Sequence, residues 1–379
     1  MGKIEELIQQ YCPDGVAYYP LGDYVNVSIG EFVRKDKQSP DAAYPVYNGG
    51  TTYTGLYDQY NMEGPKVIMS ARGNAGFVNY VETNFWCGNS CYAMYPSSKD
   101  LNWKFLYYYL KQQEQFFLNS QQKGGIPAVS KKQVETYEIP LPPLPVQEAI
   151  VNILDRFTVY AAELQAELQA RQQQYNYYRD TLLSFEGRDD VQWKKLGEVG
   201  KVCMCKRILK EQTSLSGDVP FFKIGTFGGK ADAYISQELF ETYKAKYSYP
   251  KKGDILISAA GTIGRTVVFD GCPSYFQDSN IVWLKHDESV VLNSYLKYCY
   301  SLNPWAVSTG GTIARLYNDN ILNAIIPIPP LSVQQRIVDI LDRFDTLVND
   351  LSQGLPAEIE ARQQQYEYYR DRLLTFNRK

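Results

Sequence analysis

The sequence predicts an α+β fold. Two mixed α/β globular segments are joined by two long antiparallel coiled-coil helices, in a pseudo-two-fold internal repeat. Three observations carry this expectation. Residues 140–157, PLPPLPVQEAIVNILDRF, return at 327–344 as PIPPLSVQQRIVDILDRF, identical at 13 of 18 positions. Residues 170–185, ARQQQYNYYRDTLLSF, return at 361–376 as ARQQQYEYYRDRLLTF, identical at 13 of 16. Inside both copies, apolar side chains recur at alternating steps of three and four, the seam of a coiled coil. The boundaries that follow are a globular segment over 1–140, a helix over 141–188, a second globular segment over 189–326 and a second helix over 327–379.

KVIMS (66–70) and CYAMY (91–95) read as strands of the first segment, and 101–118 reads as its helix. Pro142-Pro143 cannot lie inside a helix, so the first long helix starts after them. Its seam runs Val146, Ile150, Ile153, Phe157, Ala161, Leu164, Leu168, Tyr175, Tyr178, Leu182, Phe185. Unbroken, it is about 60 Å long. In the second segment DILIS (254–258) and NIVWLK (280–285) read as strands and 292–302 as the matching helix, with glycine-rich turns between. The second long helix follows Pro329-Pro330, with the seam Val333, Ile337, Ile340, Phe344, Leu347, Leu351, Tyr366, Tyr369, Leu373, Phe376. Gly354-Leu355-Pro356 kinks or interrupts it. The offset between copies grows from 187 to 191, so the second helix holds four extra residues, close to one turn. Helices so similar and so amphipathic pair most economically with each other. The residues assigned to helix or partner packing are Gln147, Ile150, Leu154, Phe157, Tyr178 and Leu182, and in the second copy Gln334, Ile337, Leu341, Phe344, Tyr369 and Leu373.

The repeat continues more faintly into the globular segments. VIMSARGNAG (67–76) aligns with LISAAGTIG (256–264) through Ser70/Ser258, Gly73/Gly261 and Gly76/Gly264. KGGIPAVS (123–130) aligns with TGGTIARL (309–316), and YPLGDY (19–24) with KKLGEV (194–199).

Composition narrows the function classes. A chain of 379 residues, 44% hydrophobic and 21% charged, is an ordinary globular protein of two or three domains. It has no run of 18 apolar residues, so no membrane span is expected. Glu5 and Glu6 stand where a secretory signal would be apolar, so a cytoplasmic location is expected. Seven cysteines at spacings such as Cys87-x3-Cys91 and Cys203-x-Cys205 fit free thiols rather than a zinc site, and the one histidine, His286, excludes multi-histidine metal sites. The string Ile224–Ala231 lacks the first glycine and the Ser/Thr of a P-loop, and Asn303-Pro304-Trp305 lacks the second proline of an amino-methyltransferase motif. The chain is therefore expected to be non-catalytic alone and to bind no cofactor or metal.

Net charge is −3, an argument against nucleic acid until its distribution is considered. Residues 191–325 carry 16 basic and 12 acidic groups, whereas 1–138 carry 12 and 14. Polar loops flanked by glycine follow a strand in each half: Arg72-Gly73-Asn74-Ala75-Gly76 and Gly261-Thr262-Ile263-Gly264-Arg265. Glycine admits close backbone approach to a ligand; Arg reads guanine, Asn or Gln reads adenine, and Thr contacts phosphate or base. Tyr275-Phe276-Gln277-Asp278-Ser279-Asn280 has the same character, and basic clusters occur at Lys206-Arg207, Lys210, Lys244, Lys246, Lys251-Lys252 and Arg315. The DNA-binding candidates are Arg72, Asn74, Lys131, Lys206, Arg207, Thr262, Arg265, Gln277, Asn280 and Arg315. Each taken singly reads better as a solvated turn, and the twinning of positions in the two halves brings the two readings level.

At PLPPLPVQEAIVNILDRF and PIPPLSVQQRIVDILDRF, each closing in YRD-x-LL-x-F, and at GDILIS-x-x-G-x-x-GR, the chain resembles the specificity (S) subunit of type I restriction–modification systems over essentially its whole length. The resemblance implies that the globular segments are target-recognition domains. Each would read one half of a split double-stranded DNA site, with the paired helices setting the spacing and docking two methyltransferase (M) subunits. Restriction (R) subunits are optional further partners. S-adenosylmethionine, and ATP and Mg where restriction subunits join, would belong to those partners, which would carry adenine-N6 methylation and ATP-dependent cleavage. The first half departs from the pattern: Gly76 is followed by Phe77 where Arg265 stands, and its negative charge leaves its DNA contact weaker alone or dependent on a partner. Two other readings stay open, a coiled-coil scaffold without DNA readout and the specificity module of a type II-like methyltransferase-nuclease. AELQAELQ (162–169) is a tandem four-residue repeat in the first helix, and deleting one copy is expected to shorten the unread DNA spacer.

Overall fold

The computed structural model describes residues 2–121, 126–185, 187–188, 190–306 and 315–379. The chain forms two compact units, Met1–Ala166 with Ala357–Lys379, and Glu167–Pro356.

In the first unit, α1 (Gly2–Tyr11), β1 (Tyr18–Pro20), α2 (Leu21–Tyr24) and β2 (Val25–Ile29) come first. The strands β3 (Tyr44–Tyr47), β4 (Leu56–Tyr57), β5 (Lys66–Ser70), β6 (Val78–Val81), β7 (Trp86–Cys87) and β8 (Cys91–Pro96) follow. Then come α3 (Trp103–Gln112), α4 (Glu114–Asn119), α5 (Lys131–Glu135) and β9 (Glu138–Pro140). They make a four-stranded sheet β2-β8-β5-β6, a three-stranded sheet β4-β3-β7 and the pair β1-β9. Every pairing is antiparallel except β3 with β7.

A helix of 41 residues, α6 (Leu144–Ser184), leads into the second unit. There β10 (Gln192–Lys195), α7 (Leu196–Val199), β11 (Gly200–Met204), β12 (Val219–Phe222) and β13 (Tyr234–Ile235) precede α8 (Gln237–Lys246). After them come β14 (Ile255–Ser258), β15 (Thr266–Val268), β16 (Tyr275–Phe276), β17 (Ile281–His286), α9 (Asn293–Ser301), α10 (Asn318–Leu322) and β18 (Ile325–Ile328). The sheets β11-β17-β14-β15 and β13-β12-β16 and the pair β10-β18 repeat those of the first unit strand for strand. The repeat thus extends through the globular segments, where sequence identity is faint. The helices α11 (Leu331–Asn349) and α12 (Leu355–Leu374) end the chain.

Both middle strands show why the sequence reads as continuous apolar runs rather than alternation. Val67 and Met69 of β5 enter the core beneath the helices, while Ile68 enters a smaller core on the opposite face. In the second unit Ile255 and Ile257 face the helical side and Leu256 faces the three-stranded sheet. A strand buried on both faces has no polar side to display.

Helix ends follow local chemistry. The Asn102 side chain accepts the N–H groups of Lys104 and Phe105 at the start of α3, and Ser130 forms a capping box with Gln133 at α5. The single helix expected over 101–118 breaks at Gln113, whose ψ of 4° leaves the helical range between α3 and α4. The expected interruption near Gly354 is present, since α11 stops at Asn349 and α12 begins at Leu355. The seam shifts there: Leu351 is 76% exposed, and Val348 is the buried residue. At the end of α6 it is Leu183, not Leu182, that is fully buried.

Each unit packs its own helical pair. In the first, Phe157 of α6 lies 5.5 Å from the Tyr369 ring and 6.3 Å from the Tyr366 ring of α12. In the second, Tyr178 of α6 stacks on Phe344 of α11 at 5.2 Å. The first unit also closes through the C-terminal tail: Val16 N–H donates to Asn377 C=O at 2.8 Å, and Lys379 N–H donates back to Val16 at 3.1 Å. Among the described residues, no helix is long and apolar enough to cross a membrane.

Candidate nucleic-acid interface

The glycine loops share one backbone frame in the two units. Ser70 exchanges backbone bonds with Phe77 and Gly76, and Ser258 with Arg265 and Gly264, at 2.8–3.0 Å. Both serines are buried. The Ser70 hydroxyl donates to Gly50 C=O at 3.0 Å, and that of Ser258 donates to Thr262 C=O. Gly76 and Gly264 have φ of 96° and 78°, and a Cβ there would stand within 3 Å of Phe117 and of Asn303 respectively. Two further segments close on each loop. Ala71 N–H donates to Ser90 C=O and Val129 N–H to Ala71 C=O; Ala259 N–H donates to Asn280 C=O and Leu316 N–H to Ala259 C=O, at 2.7–3.0 Å. The equivalent of Val129 is thus Leu316, one position from the expected alignment of 123–130 with 309–316. Most of that alignment lies outside the described residues.

This construction gathers most of the candidate residues at one end of each unit's sheets. In the first unit Arg72 and Asn74 are exposed on the loop, Arg72 bridges Ala128, and Lys131 opens the neighbouring α5, where it pairs with Glu135 at 3.3 Å. In the second, Arg207, Gln277 and Asn280 line a cleft of about 650 Å³ together with Lys210, Lys223 and Asp278. Arg207 Nε donates to Asp278 at 2.9 Å, and Lys223 pairs with Asp232 at 2.8 Å. Gln277 Oε1 accepts Ile224 N–H at 2.9 Å, which ties the turn before Asn280 to the turn that follows β12. Asn280 Oδ1 accepts Arg315 Nη2 at 2.9 Å, so the pair presents donors rather than acceptors. Leu215 stands on the cleft rim, 91% exposed. Thr262 is exposed on its loop, and Arg265 is tied to Gly228 C=O at 3.2 Å. Lys206 points elsewhere, its ammonium 5.2 Å above the Tyr247 ring.

Three basic residues of the first unit escaped the sequence reading. The turn Lys35–Lys37 follows β2 as Lys210–Gln212 follows β11, and Arg34, Lys35 and Lys37 are all exposed. The signal was available: the offset of 175 that relates YPLGDY to KKLGEV also relates these two turns.

The residues assigned to helix packing divide by burial. Ile150, Leu154, Ile337, Leu341 and Leu373 are core, and Phe157, Leu182, Phe344 and Tyr369 are half-buried. Tyr178 is partly exposed. Gln147 and Gln334 are fully buried and bonded to backbone within their own units. Next to them, Tyr108 of α3 donates to Asp155 of α6 at 2.7 Å, and Tyr298 of α9 donates to Asp342 of α11. Burial and the facing carboxylates push both hydroxyls well above the ordinary tyrosine range, so each stays a donor. Lys104 joins Asp155 at 2.8 Å, and Lys297 joins Asp345 at 2.6 Å. These contacts fix α3 to α6 and α9 to α11. Among the described residues, no group of acidic, Cys or His side chains is placed to hold a metal ion.

Known proteins share this arrangement. The family model described as type I restriction modification DNA specificity domain matches twice, over residues 13–171 and 188–361. A putative type I restriction enzyme specificity subunit of Haemophilus influenzae is 49% identical, with 96% of each chain covered. The EcoR124I/EcoR124II specificity subunit of Escherichia coli is 31% identical, over 99% of this chain and 97% of that one. Among solved structures, the type I restriction-modification S subunit from M. genitalium superposes with a TM-score of 0.64 at 18% identity, covering 96% of this chain and 97% of that one. That likeness shows the fold. With two matched copies of the domain and relatives similar along their full length, the chain belongs to the type I restriction–modification specificity family.

Proposed function

We propose that each compact unit reads one half of a bipartite duplex DNA site, and that the helices set the spacing and dock two copies of a methyltransferase. The observation that carries this reading is the twinned loop set. The same backbone hydrogen bonds hold three loops together in both units, while the side chains they carry differ. One frame with two sets of side chains suits two unlike half-sites.

The chemistry available is that of recognition. Arg34, Lys35 and Lys37 in one unit, and Arg207 and Lys210 in the other, neutralise phosphates and make affinity salt-dependent. The donor-rich Asn280–Arg315 pair suits acceptors such as guanine O6 and N7 or a phosphate, rather than the mixed edge of adenine. Methyl transfer from S-adenosylmethionine to adenine N6, on a base extruded from the stack, would occur on the partner. ATP- and Mg-dependent cleavage would require restriction subunits as further partners. The chain itself contributes specificity and no catalytic group.

Twin exposure supports two copies of one partner. Tyr177 and Tyr368 hold equivalent positions in the ARQQQY-x-YYRD repeat and are 66% and 58% exposed. Each meets the next tyrosine edge-on at 5.4–5.6 Å. Identity at exposed positions is not needed for packing, but it is needed if the same surface binds twice.

The test is the variant Asn280→Ala/Arg315→Ala, assembled with the methyltransferase and read by sequencing of the methylated motif. One half-site is expected to relax while the other keeps its sequence. Relaxation of both, or of neither, would place base readout outside this cleft.

A further inference from the structure

The second unit has another concave surface, about 480 Å³, lined by Lys244, Lys251, Lys252 and Lys285 with the Tyr247 and Trp283 rings and by no carboxylate. None of the four lysines has an ion-pair partner among the described residues. Lys244 instead rests over the Phe240 and Tyr249 rings at 5.2 and 5.3 Å. In the strand register Lys285 of β17 stands directly opposite Lys201 of β11. Two like charges in that position repel and destabilise the pair unless an anion sits over them.

The surface is specific to this unit. The β2–β8 pair places Asn26 opposite Tyr95 at the equivalent position, and no helix stands between β4 and β5 where the second unit has α8. The surface is also continuous with the cleft. Tyr247 on its wall lies under the Lys206 ammonium, and the next residue, Arg207, lines the cleft. A basic track therefore runs from the base-reading turn to the lysine pocket.

We propose that this pocket takes the DNA phosphates that flank the half-site read by the second unit, so that this unit supplies the larger, sequence-independent share of affinity. The inference rests on the DNA-reading function proposed above. Its sign fits the charge asymmetry: the residues around this unit carry the basic excess, while the first globular segment is net acidic.

The experiment uses the full chain assembled with its methyltransferase and a duplex carrying the methylated motif. Affinity is measured by fluorescence anisotropy across a KCl series. Replacing the four lysines together (Lys244→Gln, Lys251→Gln, Lys252→Gln, Lys285→Gln) is expected to make the slope of log affinity against log salt shallower by about 3, with an unchanged motif. The matching Lys→Arg set is expected to keep the slope within about 1 unit of the parent. If the four-fold variant does not fold, the pair Lys251→Gln/Lys252→Gln, on an exposed turn, is expected to lower it by about 2. A slope equal to the parent's overturns the inference and leaves the DNA reading standing. So does a variant whose slope is unchanged but which loses the methyltransferase on size exclusion, because the pocket then serves an acidic protein surface. A parent complex with no sequence-dependent binding removes the DNA reading and this inference together.

Discussion

The side chain of Gln147 accepts the backbone N–H of Asn102 at 2.8 Å and donates to the carbonyls of Asp100 and Pro142, both at 2.7 Å. Gln334 repeats the set on Leu292 N–H, Val290 C=O and Pro329 C=O at 2.8–3.1 Å. This explains why Pro-Pro-Leu-x-x-Gln recurs: the prolines turn the chain, and the glutamine, buried one helical turn on, ties the start of α3 or α9 to that turn. Gln147→Leu keeps the volume and leaves three backbone groups without their partner, the Pro142 carbonyl in a fully buried bond and the other two partly buried. A loss of about 2–4 kcal/mol is expected in urea unfolding, and the same from Gln334→Leu. A loss below about 0.5 kcal/mol would mean that water takes over these bonds.

Tyr177 and Tyr368 test the docking of two partners. Each single Tyr→Ala is expected to leave thermal stability within about 0.5 kcal/mol, since both rings are largely exposed. Each is expected to weaken one of the two methyltransferase sites by about tenfold or more. Analytical ultracentrifugation reads this as a shift from a complex with two partners to one with a single partner. Retention of both partners in the double variant would exclude this face.

The repeat at 162–169 gives a ruler test. The helix is unbroken there, so deleting Ala166–Gln169 removes one turn, about 6 Å. That is close to two base-pair rises of about 3.4 Å, so the unread spacer is expected to shorten by one or two pairs with both half-sites kept. An unchanged spacer in the methylated motif would sink the idea.

The sequence revealed most where one physical rule dominates. The proline stops, the three-four seam and the unbroken apolar runs of strands 66–70 and 255–258 are all local signals, and the repeat supplied the architecture. It was blind where geometry decides. Nothing in composition tells a buried apolar side chain from an exposed one at a helix end, and there Val348 took the place expected for Leu351. The break at Gln113 has no proline or glycine to announce it. In the candidate site, residue types were legible but their engagement was not. Asn280 read as an adenine reader, yet its carbonyl is occupied by Arg315, which only the closing of three distant loops brings near. Arg34, Lys35 and Lys37 look like a solvated turn until the 175-residue offset matches them to the turn after β11.

The central claim is that this chain gives a methyltransferase its DNA sequence. Single-molecule sequencing of genomic DNA, from a host expressing the chain with its neighbouring methyltransferase and from a host expressing the methyltransferase alone, tests it most directly. N6-methyladenine is expected at one split motif, present only when the chain is present. The same methylation without the chain, or none with it, would contradict the account and favour a scaffold without DNA readout.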